Sequence, residues 1–371
     1  MKVICICGGG ALGHVIAGTL ASKGYTVHLL TNNPEKWSSS ITIDSIDGKK
    51  ITSSLSKISN NPKDVIPSSE MILFCLPGFA INEVLLKIKD DISPNAIVGS
   101  IVSNTGFFIM AKAVLEDRFR LFGFQRVPYI ARISQYGKSA DLLGYKKNLK
   151  VAFTGIKNTF EIAAEFEKMF DTPVIVLKNI LESTLSNSNP ILHPSRLYNL
   201  FHDWNPSRVY DREILFYESW NDESSKLLIE CDNEFQEIIS KLSVDMDEMP
   251  PLLKHYDSSD AESLTQKIQS IIAFKNIKAP LLAVENGFIL DTNNRYFVED
   301  IAYGLAILKC VASILKIQTP QIDKLLEWGQ KIIGIELIHN HLLTGKDVEN
   351  IACLNEVIIC EMIQDSKHLL Y

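Results

Sequence analysis

The sequence has neither a long hydrophobic run nor an excess of one charge, and each absence excludes a class of protein. No stretch approaches the length of a membrane span, so no membrane association is expected. The formal net charge is −7 with acidic and basic residues interspersed, which provides no basic surface for nucleic acid. Internal repeats, low-complexity tracts and long linkers are also absent. With 46% hydrophobic and 22% charged residues, the chain has the composition of an ordinary globular protein with large cores.

The seven cysteines lack the spacing of a metal centre or a redox pair. None of them forms a C-x-x-C motif, and most lie in apolar stretches, among them Cys5, Cys7, Cys75 and Cys310. This pattern is typical of reduced thiols in the core of a cytoplasmic protein. We therefore expect a cytoplasmic protein without a metal site. The sequence leaves both a monomer and a homodimer open.

A glycine-rich turn near the start of the chain is its strongest motif. The apolar run at residues 3–7 meets residues 8–13 (GGGALG), and apolar residues at helical spacing follow. Gly8, Gly10 and Gly13 satisfy the G-x-G-x-x-G pattern between a strand and a helix, where it binds dinucleotides. The glycines would allow a tight turn, the approach of a pyrophosphate to bare backbone, and close packing of helix on strand. We predict a dinucleotide site, rather than a merely structural turn, formed by Gly8, Gly10, Ala11, Leu12 and Gly13.

The end of the second predicted strand bears on the choice between NAD and NADP. An acidic residue at this position accepts hydrogen bonds from the 2′-hydroxyl of the NAD ribose. Residues 30–36 (LTNNPEK) place no carboxylate at the tip of the strand. Asn32 and Lys36 could hold a 2′-phosphate, whereas Glu35 turned inward would restore the NAD pattern. The sequence therefore favours NADP, as NADPH, over NAD.

The remainder of the first half alternates strands and helices. Asp47-Gly48 indicates a hairpin between two of the strands, and Pro77-Gly78 follows a buried strand. Open α/β sheets bind ligands at the carboxyl ends of their strands, so Pro77 joins the predicted cofactor residues. Further strands are predicted at residues 26–31, 41–46, 50–55, 71–76, 97–102, 120–125, 149–154 and 173–177.

The apolar spacing changes near residue 180 and is mostly helical from residue 198 onward. Four stripes predict helices over residues 227–242, 301–315, 321–333 and 351–363. The length of 371 residues also suggests two domains. We predict an α/β N-terminal Rossmann-type dinucleotide-binding domain over residues 1–180. An all-α C-terminal substrate domain follows over residues 181–371, with the substrate bound between the two.

Two polar segments of the second half are candidate reactive sites. In residues 187–194 (NSNPILHP), two prolines bracket His193 and fix the backbone just before a helix. In residues 294–301 (NRYFVEDI), Asp300 opens a predicted helix, and Gly304 would permit the close approach of a ligand. Each side chain alone also has a structural explanation, because most of the eight histidines will be structural or exposed and a carboxylate at a helix start is stabilised by the helix dipole.

With the glycine turn, these segments resemble the opine dehydrogenases, the octopine/nopaline dehydrogenase family. Residues 127–132 (VPYIAR) and 215–217 (LFY) add to a similarity that runs over nearly the whole chain in order. The N-P-x-x-H-P and R-x-x-x-E-D segments are its most specific parts. The resemblance implies an NAD(P)H-dependent enzyme that reductively joins the amino group of an amino acid to a 2-oxo acid such as pyruvate.

The same resemblance assigns roles to residues of the second half. It implies that His193 and Asp300 form a catalytic dyad and that Arg295 binds a substrate carboxylate. Asn189 and Arg132, which lie in the resembling segments, are further substrate-binding candidates. The absence of an acidic residue after the second strand departs from the NAD pattern, so NAD use does not carry over.

The chemistry of a reductive condensation agrees with these roles. Imine formation needs a neutral amine, and protons move again when the carbinolamine loses water. Histidine has an unperturbed pKa of about 6.5 and can accept and return a proton near neutrality. Asp300 would fix the tautomer of His193, and Arg295 can hold a carboxylate with two hydrogen bonds. The nicotinamide would carry out the redox step.

Two other interpretations stay open on the sequence alone. Ketopantoate reductases and glycerol-3-phosphate dehydrogenases look similar at the N-terminus but rely on a catalytic lysine in the helical half. Lys226, Lys254 and Lys278 are available for that role, yet none lies in a comparably distinctive segment. A non-catalytic NAD(P)-sensing protein would keep the glycine turn and lose the dyad, and this chain retains both dyad candidates. The sequence does not specify the amino acid or the oxo acid.

Overall fold

The computed structural model describes residues 2–116 and 120–368 of the chain. Two units are distinguished, Met1–Leu185 and Ser186–Tyr371. The division falls five residues after the boundary predicted at residue 180, because the helix Ile180–Leu185 belongs to the first unit. Within the described ranges, no helix is both long enough and apolar enough to cross a bilayer.

The first unit alternates strands and helices. Its strands are β1 (Val3–Cys7), β2 (Thr26–Leu30), β3 (Ser40–Ser45), β4 (Lys50–Ser54), β5 (Lys57–Ser59), β6 (Met71–Phe74), β7 (Ile97–Ser100), β8 (Arg120–Phe124), β9 (Tyr129–Gln135), β10 (Ser139–Tyr145), β11 (Leu149–Thr154) and β12 (Val174–Val176). Its helices are α1 (Ala11–Ser22), α2 (Pro62–Val65), α3 (Gly78–Ile88), α4 (Phe107–Leu115), α5 (Thr159–Phe170) and α6 (Ile180–Leu185).

An eight-stranded sheet forms the centre of this unit, in the order β12-β11-β8-β7-β6-β1-β2-β5. Only β11 and β8 pair antiparallel; the other neighbouring strands are parallel. β1 and β6 are almost continuous apolar runs because parallel strands at the centre of such a sheet are covered on both faces. The strand order reverses at β1, which lies between β2 and β6 and leads into the glycine turn. Ligands bind at such a switch point, and the predicted Rossmann-type unit is confirmed.

A second sheet, in the order β4-β3-β10-β9, was only partly predicted. The hairpin about Asp47-Gly48 is confirmed as β3 and β4, but β9 and β10 form a second hairpin, and β10 pairs in parallel with β3. This sheet packs on α1 with very little space between them. A Cβ on Gly18 of α1 would lie 2.6 Å from the side chain of Ile43 in β3. The sheet therefore holds the helix that follows the glycine turn.

The second unit is predominantly helical. Its helical segments are α7 (Asn189–Phe201), α8 (Asp222–Ser240), α9 (Leu252–His255), α10 (Ala261–Ser270), α11 (Arg295–Val298), a π-helical turn (Ile301–Leu305), α12 (Ala306–Leu315), α13 (Pro320–Ile333) and α14 (Glu356–His368). Between α10 and α11, β13 (Leu281–Val284) and β14 (Gly287–Leu290) form an antiparallel hairpin. The expectation of an all-α domain did not include this hairpin. Short 3₁₀ turns lie at Pro34–Lys36 in the first unit and at Met246–Glu248, Ile272–Phe274, Val348–Asn350 and Ala352–Leu354 in the second.

The predicted apolar stripes form the core of the second unit. The stripe on α8 is buried, and the carboxylate of Glu234 on the same helix accepts backbone N–H bonds from Gln321 and Ile322 at 2.7 and 2.9 Å. Since these N–H groups begin α13, α8 also caps that helix. The stripe predicted from residue 351 becomes an α-helix only at Glu356. The side chain of Asn355 accepts from the N–H of Ile358 at 3.2 Å and so marks the start of α14.

Candidate functional site

The glycine turn between β1 and α1 is closely packed except at one position. Gly8 has a φ of +121°, and a Cβ there would lie 2.5 Å from the carbonyl oxygen of Cys75. A Cβ on Gly13 would lie 2.0 Å from the carbonyl oxygen of Gly8. Gly10 is different, because nothing lies within 4 Å of the position its Cβ would take. This open position is the one predicted to meet the pyrophosphate.

The start of α1 is also suited to an anion. Gly10 is the N-cap of α1, and no side chain in the described part of the chain accepts from the first N–H groups of this helix. The first N–H groups of α1, including those of Ala11 and Leu12, are therefore available to a ligand, and the helix dipole favours a negative charge there. These residues fit the phosphates of a dinucleotide.

A cavity of about 210 Å³ adjoins the turn. Of the predicted cofactor residues, Gly8 and Asn32 line it. Pro77 is the N-cap of α3, and the exposed Lys36 lies in a 3₁₀ turn; neither contributes to the lining. Lys87 lines the cavity and was missed by the sequence analysis. Its position late in α3 gave no signal, because only the fold brings the end of α3 beside the end of β2.

His14, also missed, ties the glycine turn to the β9–β10 hairpin. Its Nδ1 bonds to the carbonyl oxygen of Gly10 at 2.8 Å, and its Nε2 accepts from the N–H of Gly137 at 2.7 Å. Burial lowers the pKa of His14, which favours the neutral ring that this pair of bonds requires. The ring centroid lies 4.0 Å from that of Trp37. His14 therefore positions the glycine turn without lining the cavity.

In the second unit, the structure brings together the two residues predicted as a dyad. The Nδ1 atom of His193 lies 2.7 Å from Oδ2 of Asp300, and both residues are buried. The prediction that the two side chains lie within hydrogen-bonding reach is confirmed. Because a carboxylate accepts, Nδ1 carries the proton and Nε2 is left as the basic nitrogen. Nε2 lies 2.8 Å from the hydroxyl of Tyr217, a third member that the sequence analysis did not assign.

The prediction that His193 precedes a helix is wrong. α7 begins at Asn189, Pro190 occupies its first turn, and Pro194 lies inside the helix, so that His193 lies in the second turn. Pro194 has no N–H to donate to the carbonyl group of Pro190, four residues earlier. α7 therefore lacks one helical hydrogen bond at this point, and His193 is buried within the unit.

Asp300 opens the helical segment predicted from residue 301, as the N-cap of the π-helical turn that leads into α12. Asn294 caps α11, accepting from the N–H of Tyr296 at 3.2 Å, and Asp300 lies between α11 and the π-helical turn. The carbonyl group of Asp300 accepts from the N–H of Leu305, five residues later, at 2.7 Å. The Asp300 carboxylate caps no helix end. It is bonded to His193 instead.

Gly304 makes room for a neighbouring helix and not for the ligand that the sequence analysis proposed. A Cβ on Gly304 would lie 2.6 Å from Cγ of Pro190 in α7. The lack of a side chain therefore allows the segment with Asp300 to approach the helix with His193. A π-helical turn is a one-residue insertion in an α-helix and is frequent at functional sites.

The predicted substrate ligands lie in separate places. The side chain of Arg295 is exposed, and its Nε and Nη2 atoms bond to the buried carboxylate of Glu299, one turn later. Glu299 thus holds the guanidinium in place, a role that the R-x-x-x-E-D segment could have suggested.

Asn189, half-buried, is the first residue of α7, and its N–H donates to the side chain of Asn187 at 3.1 Å. Arg132 is exposed in β9 of the first unit, opposite Asp141 of β10. Substrate binding by Arg295, Asn189 and Arg132 stays a prediction.

A larger cavity in the second unit, of about 850 Å³, is not lined by His193 or Asp300. Arg196 lines it, but all three nitrogen atoms of its buried guanidinium bond to protein oxygen atoms. Burial lowers the pKa of Arg196 to about 10, so that it still carries its charge near neutrality. Its bonds are already made within the protein, and Arg196 is a structural residue.

Comparisons with known proteins identify similar dehydrogenases. Residues 176–333 match the model of the NAD/NADP octopine/nopaline dehydrogenase alpha-helical domain, and residues 4–105 match that of ketopantoate reductase PanE/ApbA. Tauropine dehydrogenase of Arabella iricolor is 29% identical, covering 94% of this chain and 96% of its own. Octopine dehydrogenase of Pecten maximus is 26% identical, covering 94% and 95%.

A solved structure of octopine dehydrogenase with NADH and L-arginine has a TM-score of 0.88 at 24% identity and covers 98% of each chain. A ketopantoate reductase from Ralstonia eutropha reaches a TM-score of 0.59 at 14% identity, covering 90% of this chain and 99% of its own. Both likenesses concern the fold alone, and the second is the weaker one. Residues 176–333 of this chain thus match the octopine/nopaline dehydrogenase helical domain, and the chain is similar over nearly its full length to octopine and tauropine dehydrogenases.

Proposed function

We propose that this protein is an NAD(P)H-dependent opine dehydrogenase. It joins the amino group of an amino acid to a 2-oxo acid such as pyruvate through an imine, which is reduced to a secondary amine. The observation that carries the proposal is the buried bond of 2.7 Å between His193 and Asp300. The two residues are 107 positions apart and come from the two most specific segments of the family.

The cluster supplies the proton transfers of this reaction. His193 accepts a proton from the substrate ammonium group, and Asp300 stabilises the imidazolium that forms. The same proton is returned to the carbinolamine hydroxyl, which leaves as water. Arg295 orients the 2-oxo acid through its carboxylate, because its planar fork matches that group. The bound nicotinamide supplies the hydride.

Direct reduction of a 2-oxo acid, as by a ketopantoate reductase, is the second candidate, favoured by the match over residues 4–105. It needs a catalytic lysine in the helical half. Lys226, Lys254 and Lys278 are exposed, and each forms an ion pair with a surface carboxylate at 2.7, 3.5 and 2.7 Å. None of these pairs includes a residue of the His193 cluster, so this candidate has weaker support.

We expect oxidation of NAD(P)H to require an amine and a 2-oxo acid together. The assay follows absorbance at 340 nm with pyruvate crossed against a panel of amines, and mass spectrometry identifies the product. Because relatives are octopine and tauropine dehydrogenases, and one solved octopine dehydrogenase contains agmatine, the panel begins with arginine, taurine and agmatine. Turnover with the oxo acid alone, giving a hydroxy acid, would favour the second candidate. Cofactor binding without turnover of any pair would favour a sensing protein.

The proposal includes a preference for NADPH over NADH. It is supported by the tip of β2, where Asn32 replaces the usual carboxylate, and by the two nearby cations Lys36 and Lys87. The solved relatives include both an octopine dehydrogenase with NADH and a yersinopine dehydrogenase with NADP+. The solved relatives therefore differ in the cofactor they bind, and we attribute the choice in this chain to the residues near the tip of β2.

We expect Lys36→Ala to weaken NADPH binding about tenfold and to leave NADH binding unchanged, since an exposed phosphate contact contributes about 1.4 kcal/mol. Fluorescence titration of both cofactors measures this difference. Lys87→Ala is the matched variant, because Lys87 lines the cavity and Lys36 does not. A selective loss in Lys87→Ala alone would assign the phosphate contact to α3. Equal affinities in the wild type, unchanged in both variants, would contradict the preference.

We also infer that the protein works in the cytoplasm. All seven cysteines are free thiols in the structure, and five of them are buried. Disulfides are rare in a reducing compartment, which supports this assignment.

A further inference from the structure

Tyr217 occupies the one ring nitrogen of His193 that the proposed reaction needs. Nδ1 donates to Asp300, so Nε2 accepts, and the Tyr217 hydroxyl at 2.8 Å is its donor. The phenolic oxygen keeps lone pairs that can accept another proton. A substrate proton therefore reaches Nε2 either after Tyr217 has moved away or through its hydroxyl.

Packing opposes the first route. The ring of Tyr217 is buried and stacks on Phe274, with centroids 4.1 Å apart and planes inclined by 18°. Trp220 lies parallel on another side, with an interplanar angle of 7°. Tyr296 stacks on the His193 ring itself at 4.1 Å. Rotation of Tyr217 away from His193 would have to break this aromatic cluster.

Residues on both sides of Tyr217 are hydrogen-bonded to α7, the helix that carries His193. Arg196 lies three residues after His193 in α7. Its Nε donates to the carbonyl oxygen of Phe216 at 3.1 Å, and its Nη2 donates to the side chain of Ser219 at 2.8 Å. These acceptors flank Tyr217 in the chain. One helix thus sets the positions of both the imidazole and the hydroxyl.

We propose that Tyr217 is a catalytic residue that relays protons between the substrate and His193, an inference that rests on the proposed function. As the ammonium proton passes to the phenolic oxygen, the phenolic proton passes to Nε2. Later the Nε2 proton returns to the phenolic oxygen, and the phenolic proton passes to the carbinolamine hydroxyl. The C–O bond then breaks and water leaves. Tyr217 ends each transfer as a neutral phenol.

The surroundings of Tyr217 favour a relay over a phenolate base. Burial raises the pKa of the Tyr217 hydroxyl, and the neighbouring Tyr296 and Asp300 raise it further. The group therefore stays protonated at neutral pH and transfers a proton only by accepting another one. This behaviour distinguishes it from a tyrosine that ionises during the reaction.

We expect Tyr217→Phe to lower kcat about a hundredfold, the lower end of the range for losing an acid–base group, with little change in the Kd for NAD(P)H. Phenylalanine keeps the ring and its stacking, so thermal stability checks that the unit is intact. The matched control is Tyr210→Phe, because the Tyr210 hydroxyl is buried without a hydrogen-bond partner in the described part of the chain. We expect this control to keep the wild-type kcat. A Tyr217→Phe enzyme with full activity would overturn the relay.

Two further measurements test the relay, and the first of them needs no Tyr217→Phe protein. In wild-type single turnovers in H₂O–D₂O mixtures, two protons in flight give a curved dependence of rate on deuterium fraction, and a straight line contradicts the relay. On a His193→Ala background, Tyr217→Phe should cause no further loss, whereas full additivity contradicts it. The proposed function fails separately, when no pair of amine and oxo acid is turned over by the wild type.

Discussion

Replacing His193 with alanine lowers kcat by about two to four powers of ten, the scale of a lost general acid–base group. The residue is buried, its Nδ1 is bonded to Asp300 and its Nε2 to Tyr217, so it is the imidazole base at the centre of the cluster. The glycine turn lies in the first unit and is not touched by this change. The Kd for NAD(P)H should therefore stay close to that of the wild type.

Steady-state kinetics at saturating amine and oxo acid, combined with fluorescence titration of the cofactor, measure the two effects separately. His202→Ala is the control, because His202 is an exposed histidine just after the same helix. It should retain wild-type activity. If the His193→Ala enzyme were fully active, the acid–base mechanism and the functional proposal would both be abandoned.

Replacing Asp300 with asparagine should lower kcat by a similar factor although the shape of the side chain is kept. The carboxylate accepts the Nδ1 proton of His193 at 2.7 Å. An amide can instead donate to Nδ1, which moves the ring proton to Nε2 and leaves no lone pair facing Tyr217. An equivalent Asp→Asn change in a serine protease triad costs about 10⁴ in kcat through the wrong tautomer. The neutral amide also loses the stabilisation of the imidazolium.

The readout is kcat together with the double variant His193→Ala/Asp300→Asn. If Asp300 acts through His193, the double variant is no slower than His193→Ala alone. Asp257→Asn, at an exposed carboxylate paired with Lys267, is the control and should leave kcat unchanged. Wild-type turnover by Asp300→Asn would show that the buried bond is only structural.

Local patterns in the sequence predicted most of the first unit. The glycine turn, the buried strands and the Asp47-Gly48 hairpin each depend on neighbouring residues, and each is found as expected. The β13–β14 hairpin was missed although Asn286-Gly287, between two apolar runs, is a strong hairpin signal. The predominantly helical spacing of the second half outweighed this short hairpin signal in the prediction.

The site of the second unit depends on contacts between residues that are far apart in the sequence, and the periodicity of apolar residues does not reveal such contacts. The pairing of His193 with Asp300 was inferred from the family resemblance and not from periodicity. Tyr217 lies in one of the segments that carry the resemblance, but the segment LFY does not indicate that its hydroxyl will contact an imidazole. The helical segment that begins after Asp300 was predicted, but the short helix α11 before it was missed, although Asn294 is a good N-cap residue.

The π-helical turn after Asp300 shifts the helical phase of α12 relative to the residues that precede the turn. One additional residue rotates all following side chains by about 100° relative to those before it. The residues before the turn include Arg295 and Asp300, and those after it form the buried face of α12. In an uninterrupted α-helix, the face that packs would dictate the direction of the carboxylate. The inserted residue separates these two requirements, so that α12 can bury its apolar face while Asp300 points at His193.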